Sequence, residues 1–290
     1  MDLFLQYLAN GVVIGSSYVL VAVGLTLIFG ILGVVNFAHG EFYMLGGYIG
    51  VTAVTIMGLP LLAALPLVIA SAVVIGYLAE RLLHKALKDS DPTNSIIASF
   101  GLAVAIQNAV LITLGPQAQM ANIDVSALNL SVGSVYLPGN RVLVPIVTAL
   151  LIAGLYAVLH FTWTGRSLRA MAQHGMVARL CGVRVERVAI VTFIAAAALA
   201  GTAGMLMSSV YSVHPMAGNM VVLKAFTVVI LGGMGNIGGA AAAGLILGIT
   251  ETMTAAYLAN AMRDIVGFVI VILVLLFLPN GLFGKAYDRS

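Results

Sequence analysis

Charge and cysteine are both scarce in this sequence. Only 8% of its 290 residues are charged, the formal net charge is +3, and Cys181 is the single cysteine. One cysteine excludes an internal disulfide, and so little charge excludes the usual composition of a soluble globular domain. The slight basic excess comes from a few clusters of Arg and Lys, which indicate orientation in a membrane rather than binding to nucleic acid.

Several catalytic signatures are missing as well. There is no G-x-x-x-x-G-K-[ST] motif, so this chain cannot hydrolyse ATP by P-loop chemistry. No HExxH motif or cysteine pair is present to complete a metal site around His39 and Glu41. No G-x-S-x-G elbow surrounds Ser16 and Ser17, which excludes that route to a serine hydrolase. We predict that this chain is not an enzyme and has no catalytic residue, metal or cofactor of its own.

Most of the remaining sequence is apolar. Hydrophobic residues make up 61% of the chain, and the mean hydropathy is +1.11. The apolar runs approach or exceed the roughly 20 residues that a helix needs to cross a hydrocarbon core about 30 Å thick. They are continuous rather than alternating, unlike the strands of an outer-membrane barrel. The composition predicts an all-α, polytopic membrane helix bundle forming a single domain over residues 1–290.

We predict about eight membrane-spanning segments, the seventh interrupted by glycines. They are Leu5–Leu32, Glu41–Met57, Leu59–Leu82, Asn94–Leu114, Val142–Phe161, Val188–Tyr211, Lys224–Leu258 and Ile265–Leu278. Dense glycine and alanine in the sixth and seventh segments indicate close helix packing, either within the bundle or at a subunit interface.

Basic residues predict the orientation of these segments. The stretches 81–88 and 162–187 are rich in Arg, Lys or His, so both are expected to face the cytoplasm. The long connection from Gly115 to Arg141 and the N-terminus then lie outside. Eight complete crossings would leave the C-terminus outside too, whereas a re-entrant seventh segment would bring it inside. Lys285 and Arg289 favour the inside, and the sequence leaves both alternatives open.

A compact polar break, Asn36-Phe37-Ala38-His39-Gly40-Glu41, separates the first two segments. Polar groups at membrane depth are costly unless they are buried in protein or line a wet cavity, which makes Asn36, His39 and Glu41 candidates for a substrate pathway. Two interpretations are open. Glu41 and His39 cap the positive end of the second helix while Asn36 satisfies loop backbone, or these side chains contact the substrate.

Glycines interrupt the seventh segment at Gly233-Met234-Gly235-Asn236-Ile237-Gly238, which matches G-x-G-x-x-G. A dinucleotide fold needs a soluble α/β unit and an acid about twenty positions further on, and neither is present. Glycine-broken spans are typical of transport pathways, so Gly232, Gly233 and Asn236 are further candidates. Glu251, an acid in the same segment, either snorkels at an interface or faces the bundle interior and marks a gate.

The stretch from Gly165 to Val183 is the most distinctive segment outside the apolar runs. Its apolar residues recur at helical spacing with basic residues between them, which predicts two short amphipathic helices broken at His174-Gly175. It is either a loop lying on the membrane surface without a partner or a docking segment for a cytoplasmic protein. For docking we assign Arg169, Met176, Val177, Ala178, Arg179 and Gly182.

Four motifs, in order along the chain, resemble the LivH-type permease subunit of bacterial branched-chain amino acid ABC importers. They are Gly24–Gly30 running into Asn36–Tyr48, then Gly165–Val183, Lys224–Gly235 and Leu275–Gly284. The resemblance implies that the chain lies in the bacterial inner membrane and forms half of the pathway for branched-chain or related hydrophobic amino acids. It implies three kinds of partner besides lipid: a LivM-type second permease, two cytoplasmic ATPases carrying ATP and Mg²⁺, and a periplasmic binding protein.

The same resemblance makes residues 162–187 the coupling-helix loop. Its family core, Glu-Ala-Ala-x-x-x-Gly, is matched at Ala178 and Gly182, whereas Met176 stands where the family has an acid. The alternative function is an ion-coupled secondary transporter of small amino acids or amides that uses Glu41 and Glu251.

Overall fold

The computed structural model describes residues 2–87, 90–122, 128–132 and 135–284. Lys285 and Arg289, which favoured an inside C-terminus, lie outside the described residues. The elements in the described part are α1 (Asp2–Leu32), α2 (His39–Thr55), α3 (Leu61–Ala79), α4 (Pro92–Leu114), α5 (Gly139–Phe161), α6 (Trp163–Gln173), α7 (Gly175–Leu180), α8 (Val185–Met207), α9 (Ala217–Gly232), α10 (Ile237–Tyr257), α11 (Arg263–Phe277) and a hairpin of β1 (Leu130–Val132) with β2 (Val135–Leu137).

The predicted helix bundle is confirmed. Seven helical stretches are long and apolar enough to cross a membrane by length and composition, those containing α1, α3, α4, α5, α8, α10 and α11. Each of the eight predicted segments is helical, and the seventh is broken as expected, into α9 and α10. With 16 residues, α9 rises about 24 Å, somewhat less than the hydrocarbon thickness.

Local sequence explains where several helices begin. The Asp91 carboxylate accepts the backbone N–H of Thr93, and Pro92 follows at the first helical position of α4. Hydrogen bonding from Thr93 holds the pKa of Asp91 below its usual value. Thr162 caps α6 by accepting the N–H of Gly165, and Asn236 caps α10 by accepting the N–H of Gly239. Short polar side chains therefore cap the N-termini of three helices, α4, α6 and α10.

Helix α1 lies at the centre of the bundle and packs antiparallel against α10. A Cβ added at Gly15 would lie 2.9 Å from the Cα of Leu245, and one added at Gly244 would lie 2.9 Å from the backbone nitrogen of Val19. Backbones this close require glycine, which is the means by which helices associate tightly in lipid. The small residues of the seventh segment thus pack within the bundle.

The two ends of the bundle carry different parts of the chain. At one end Arg141 donates to Asn10 at 2.7 Å, and Gln119 pairs with Val213, so the long connection after α4 lies beside the start of α1 and the end of α8. At the other end the His84 and Phe193 rings lie 6.3 Å apart, so the first predicted cytoplasmic segment lies beside α8, the helix that follows the second.

The end of the described chain lies at the end of the bundle that carries the basic segments. The amide of Leu282 donates to the carbonyl of Leu231 at 2.8 Å, and Asn236 donates to the carbonyl of Phe283 at 2.7 Å. Because α9 and α10 are two antiparallel arms, the chain makes one more pass along the bundle than eight continuous segments would. The last described residues therefore lie at the same end of the bundle as the predicted cytoplasmic segments.

Candidate functional site

The polar break between α1 and α2 is buried inside the bundle. Asn36 accepts the N–H of Ala38 at 3.0 Å, so it satisfies loop backbone. The His39 ring is fully buried, and its Nε2 lies 2.9 Å from the carbonyl oxygen of Val21. Helix α2 therefore begins level with the interior of α1, and the chain after α1 turns back into the bundle before α2 starts.

Glu41 joins three helices near this point. Gln107 on α4 donates to Glu41 Oε1 at 2.7 Å and to Asn219 on α9, also at 2.7 Å. A Cβ added at Gly218 would lie 2.5 Å from Glu41 Oε1, so a larger residue there would displace this carboxyl group. The first turn of α2 is thus fixed to α4 and α9 by polar contacts, in the manner of polar side chains between membrane helices.

A second polar cluster surrounds Glu251 on α10, which is fully buried and faces the bundle interior rather than an interface. Lys224 donates to Glu251 Oε1 and, at 2.7 Å, to Asp264 Oδ1. Arg263 Nε lies 3.2 Å from Glu251 Oε2, and the Tyr18 hydroxyl donates to the same oxygen at 2.8 Å. Two cations and two anions make the formal charge of this charge cluster zero.

The pairing explains how Glu251 is tolerated at this depth. A buried carboxylate is strongly destabilising without a partner, and both of its oxygens accept hydrogen bonds from charged or hydroxyl donors. The charge cluster ties α1, α9, α10 and α11 together at one level of the bundle.

A cavity of about 450 Å³ opens beside the charge cluster. Its lining combines the charged side chains of Lys224, Arg263 and Asp264 with apolar and aromatic side chains that include Ile14, Tyr43, Met207 and Met220. Its volume lies within the range of about 300–1,000 Å³ typical of small-molecule sites. A lining that combines charged, polar and apolar side chains suits a small ligand that has a polar end and an apolar end.

The predicted pathway residues lie at three different places. Asn36, His39 and Glu41 are buried beside the cavity but do not line it, and Glu251 lies behind the wall formed by Lys224 and Arg263. The glycine-rich break lies elsewhere, at the end of the bundle that carries the basic segments. Gly233 has a φ of +97° at the end of α9, and Asn236 holds the chain after α11 through Phe283.

Sequence reasoning missed the charged wall of the cavity. Lys224, Arg263 and Asp264 were not among the predicted site residues, although Lys224 is the only lysine between Lys88 and Lys285. An acid inside an apolar segment needs a nearby cation, so Glu251 could have directed attention to Lys224. Nothing in the local sequence indicates the apolar wall, because its residues are typical of any buried helix.

The amphipathic segment forms two short helices, as predicted, with α6 ending at Gln173 and α7 beginning at Gly175. Ala178 is buried, whereas Met176 and Leu180 are 81% and 82% exposed. Arg179 is exposed, Arg169 on α6 is half-buried, and Val177 is exposed beside Met176. Gly182, with φ of +85°, provides the turn after α7. Helix α7 therefore presents apolar side chains outward at one end of the bundle.

Apolar helices of membrane length, a paired charge cluster beside a cavity and a short exposed helix at one end together define a multi-pass membrane transport component. The chain belongs to the family described as the branched-chain amino acid transport system / permease component, whose model matches residues 7–275. The resemblance found in the sequence is confirmed, and the chain is a permease subunit rather than an enzyme.

Individual relatives match over nearly the whole chain. The LivH permease protein of the high-affinity branched-chain amino acid transport system of Escherichia coli K12 is 37% identical, over 97% of this chain and 96% of the relative. The BraD permease protein of the corresponding Pseudomonas aeruginosa system is 34% identical over the same shares. A probable LivH permease protein of Methanocaldococcus jannaschii is 29% identical over 99% of this chain and 95% of the relative. No solved structure matches the chain.

Proposed function

We propose that this chain forms half of the translocation pathway of an ATP-driven importer for branched-chain or closely related hydrophobic amino acids. A LivM-type permease would supply the other half, two cytoplasmic ATPases the energy, and a periplasmic binding protein the substrate. The names of the relatives at 37% and 34% identity support the substrate class. The absence of a P-loop motif from the sequence means that ATP hydrolysis would need a separate chain.

One observation carries this proposal: helix α7 exposes Met176, Val177 and Leu180 while anchoring itself through Ala178. Exposed apolar side chains at the predicted cytoplasmic end, next to Arg179, suit a protein partner better than water. The short helix packs on α6, which in turn contacts α5 and α8. A push on α7 would therefore move several long helices together.

Transport would follow from rigid-body motion of these helices. Closure of the partner ATPases would press on residues 176–182, and rocking of the bundle would expose the cavity alternately to either side. The Lys224–Glu251 pair lies beside this cavity and would keep α9 and α10 in register during the motion. Substrate specificity for leucine, isoleucine or valine would be shared with the binding protein.

Uptake in proteoliposomes tests the proposal against an ion-coupled transporter. We expect labelled leucine to enter only when the chain is reconstituted with its permease and ATPase partners and its binding protein, and only with ATP. An ion-coupled transporter using Glu41 and Glu251 would instead work with this chain alone and would stop when an uncoupler is added. Uptake by the isolated chain that needs no ATP would overturn the proposal.

A further inference from the structure

The charged wall of the cavity contains two groups whose hydrogen-bonding capacity is only partly used. Asp264 is about half exposed, and its Oδ1 accepts from Lys224 at 2.7 Å, but its Oδ2 has no hydrogen-bond donor among the described residues. Arg263 uses Nε toward Glu251 and Nη2 toward Tyr18, and its Nη1 makes no hydrogen bond within the described part of the chain. One carboxylate oxygen and one guanidinium nitrogen, from residues adjacent in the sequence, thus remain available among the residues that line the cavity.

Glu251 differs from Asp264 in this respect. Lys224 occupies its Oε1, and Tyr18 and Arg263 occupy its Oε2. A ligand ammonium group could reach Glu251 only by displacing one of these partners, and the side chain has no exposed surface. The role of Glu251 is therefore to hold Lys224 and Arg263 in place, while Asp264 remains able to accept from a ligand.

We propose that Arg263 and Asp264 bind the two charged ends of an α-amino acid, with its carboxylate on Arg263, its ammonium group on Asp264 and its side chain toward Met207 and Met220. Charge-assisted hydrogen bonds to both ends give orientation as well as affinity. The apolar wall receives a hydrophobic side chain, as the mixed lining of the cavity requires.

The charge balance favours a zwitterion over a ligand that carries a single charge. The charge cluster of Lys224, Glu251, Arg263 and Asp264 is formally neutral, so an anion or a cation alone would leave one charge uncompensated in the bundle. A ligand with both charges satisfies both free groups at once. The inference rests on the proposed function, since it concerns the substrate site of the same pathway.

Protection of an introduced cysteine tests the site directly. In the complete transporter in nanodiscs, without the binding protein, Cys181→Ser removes the native thiol and Ser212→Cys places a thiol in the exposed rim of the cavity. We expect millimolar leucine to slow the labelling of this thiol by a charged methanethiosulfonate reagent. Gln117→Cys, exposed outside the cavity in the connection after α4, is the matched control and should label at the same rate with and without leucine.

Ligand analogues that lack one charged group then distinguish the contribution of the ammonium group from that of the carboxylate. Asp264→Asn should raise the half-protecting concentration of leucine about 10- to 100-fold, the loss of one hydrogen bond to a charged group. It should not weaken the protection by 4-methylpentanoate, which lacks the ammonium group, and Asp264→Glu should restore part of the protection by leucine. Arg263→Lys, which keeps the charge, should weaken the protection by leucine. It should leave the protection by leucinamide, which lacks the carboxylate, nearly unaffected.

The possible failures are distinguishable. If the wild-type complex takes up leucine with ATP but leucine never protects the Ser212→Cys thiol, the site assignment is wrong and the proposed function stands. If Asp264→Asn weakened the protection by leucine and by 4-methylpentanoate equally, the assignment would also be overturned, because this would show general damage to the cavity. A wild-type complex that fails to transport leucine would instead remove the proposed function.

Discussion

Lys224 on α9 and Glu251 on α10 form a buried ion pair between the two arms produced by the glycine break. Tyr18 on α1 and Arg263 on α11 complete the hydrogen bonding of the same carboxylate. The residues that break the seventh segment thus allow two charged side chains from one apolar stretch to face each other. The glycine break therefore allows the ion pair between α9 and α10 to form. The cavity lies beside this ion pair and not at the break itself.

Removing the charge of Glu251 should destabilise the protein. Glu251→Gln leaves Arg263 without a carboxylate partner and Lys224 with Asp264 alone, and loss of one member of a buried pair costs about 3–5 kcal/mol. The expected result is a clear drop in the thermal unfolding midpoint of the purified protein in detergent. Glu186→Gln, the same substitution at an exposed acid, should change stability by less than about 1 kcal/mol. Equal midpoints for the two variants would argue against the buried pair.

Close packing of α1 on α10 predicts that Gly15→Ala and Gly154→Ala differ in their effect on stability. A Cβ at Gly15 would lie 2.9 Å from the Cα of Leu245, so Gly15→Ala forces the helices apart and should cost about 1–3 kcal/mol. Gly154→Ala on α5 meets nothing within 4 Å and should be neutral or stabilising by about 0.5–1 kcal/mol. Thermal unfolding of the two variants checks the contrast, and a stable Gly15→Ala protein would contradict the described packing.

The exposed face of α7 should be needed for binding to the ATPase. Leu180→Asp places a charge on a side chain that is 82% exposed, so the fold should survive while an apolar interface loses affinity. We expect the amount of ATPase that co-purifies with the permease to fall by about tenfold or more, as for other buried interface anchors. Leu128→Asp, at the opposite end of the bundle, is the control and should retain the partner. Normal co-purification of Leu180→Asp would exclude α7 as the docking helix.

Anchoring of α7 should govern the coupling of ATP hydrolysis to transport. Ala178 is buried, so Ala178→Trp displaces α7 from the bundle and should permit ATP hydrolysis while abolishing leucine uptake. Ala172→Trp on α6 adds the same bulk at an exposed position and should leave uptake close to normal. Uptake and hydrolysis are measured on the same proteoliposomes, and unchanged uptake by Ala178→Trp would show that the docking assignment is wrong.

The course of the chain through the bundle could be predicted largely from the sequence. Continuous apolar runs give the long helices, and the glycines at 232–235 give the break, because both signals are local. The same holds for the two short helices separated at His174, where periodicity and a breaker coincide. The depth at which α2 begins could not be predicted, because it depends on the contact of His39 with Val21 on a different helix.

The cavity could not be predicted from the sequence because it depends on contacts between residues that are distant along the chain. Its charged wall joins Lys224 to residues 263 and 264, which lie about forty positions further along the chain. Only the packing of α11 against α9 and α10 brings these side chains together. Composition could show that intramembrane charges exist, and Glu251 was identified in this way, but the choice of partners is a property of tertiary packing.

Simultaneous measurement of leucine uptake and ATP hydrolysis tests the central claim most directly. The preparation is the complete transporter in sealed proteoliposomes with its binding protein, assayed with ATP, without ATP and with the ATPase partners omitted. An ATP-driven importer should accumulate leucine only in the first condition, accompanied by hydrolysis that leucine-loaded binding protein stimulates. Accumulation that persists without ATP, or with the ATPases omitted, would contradict it.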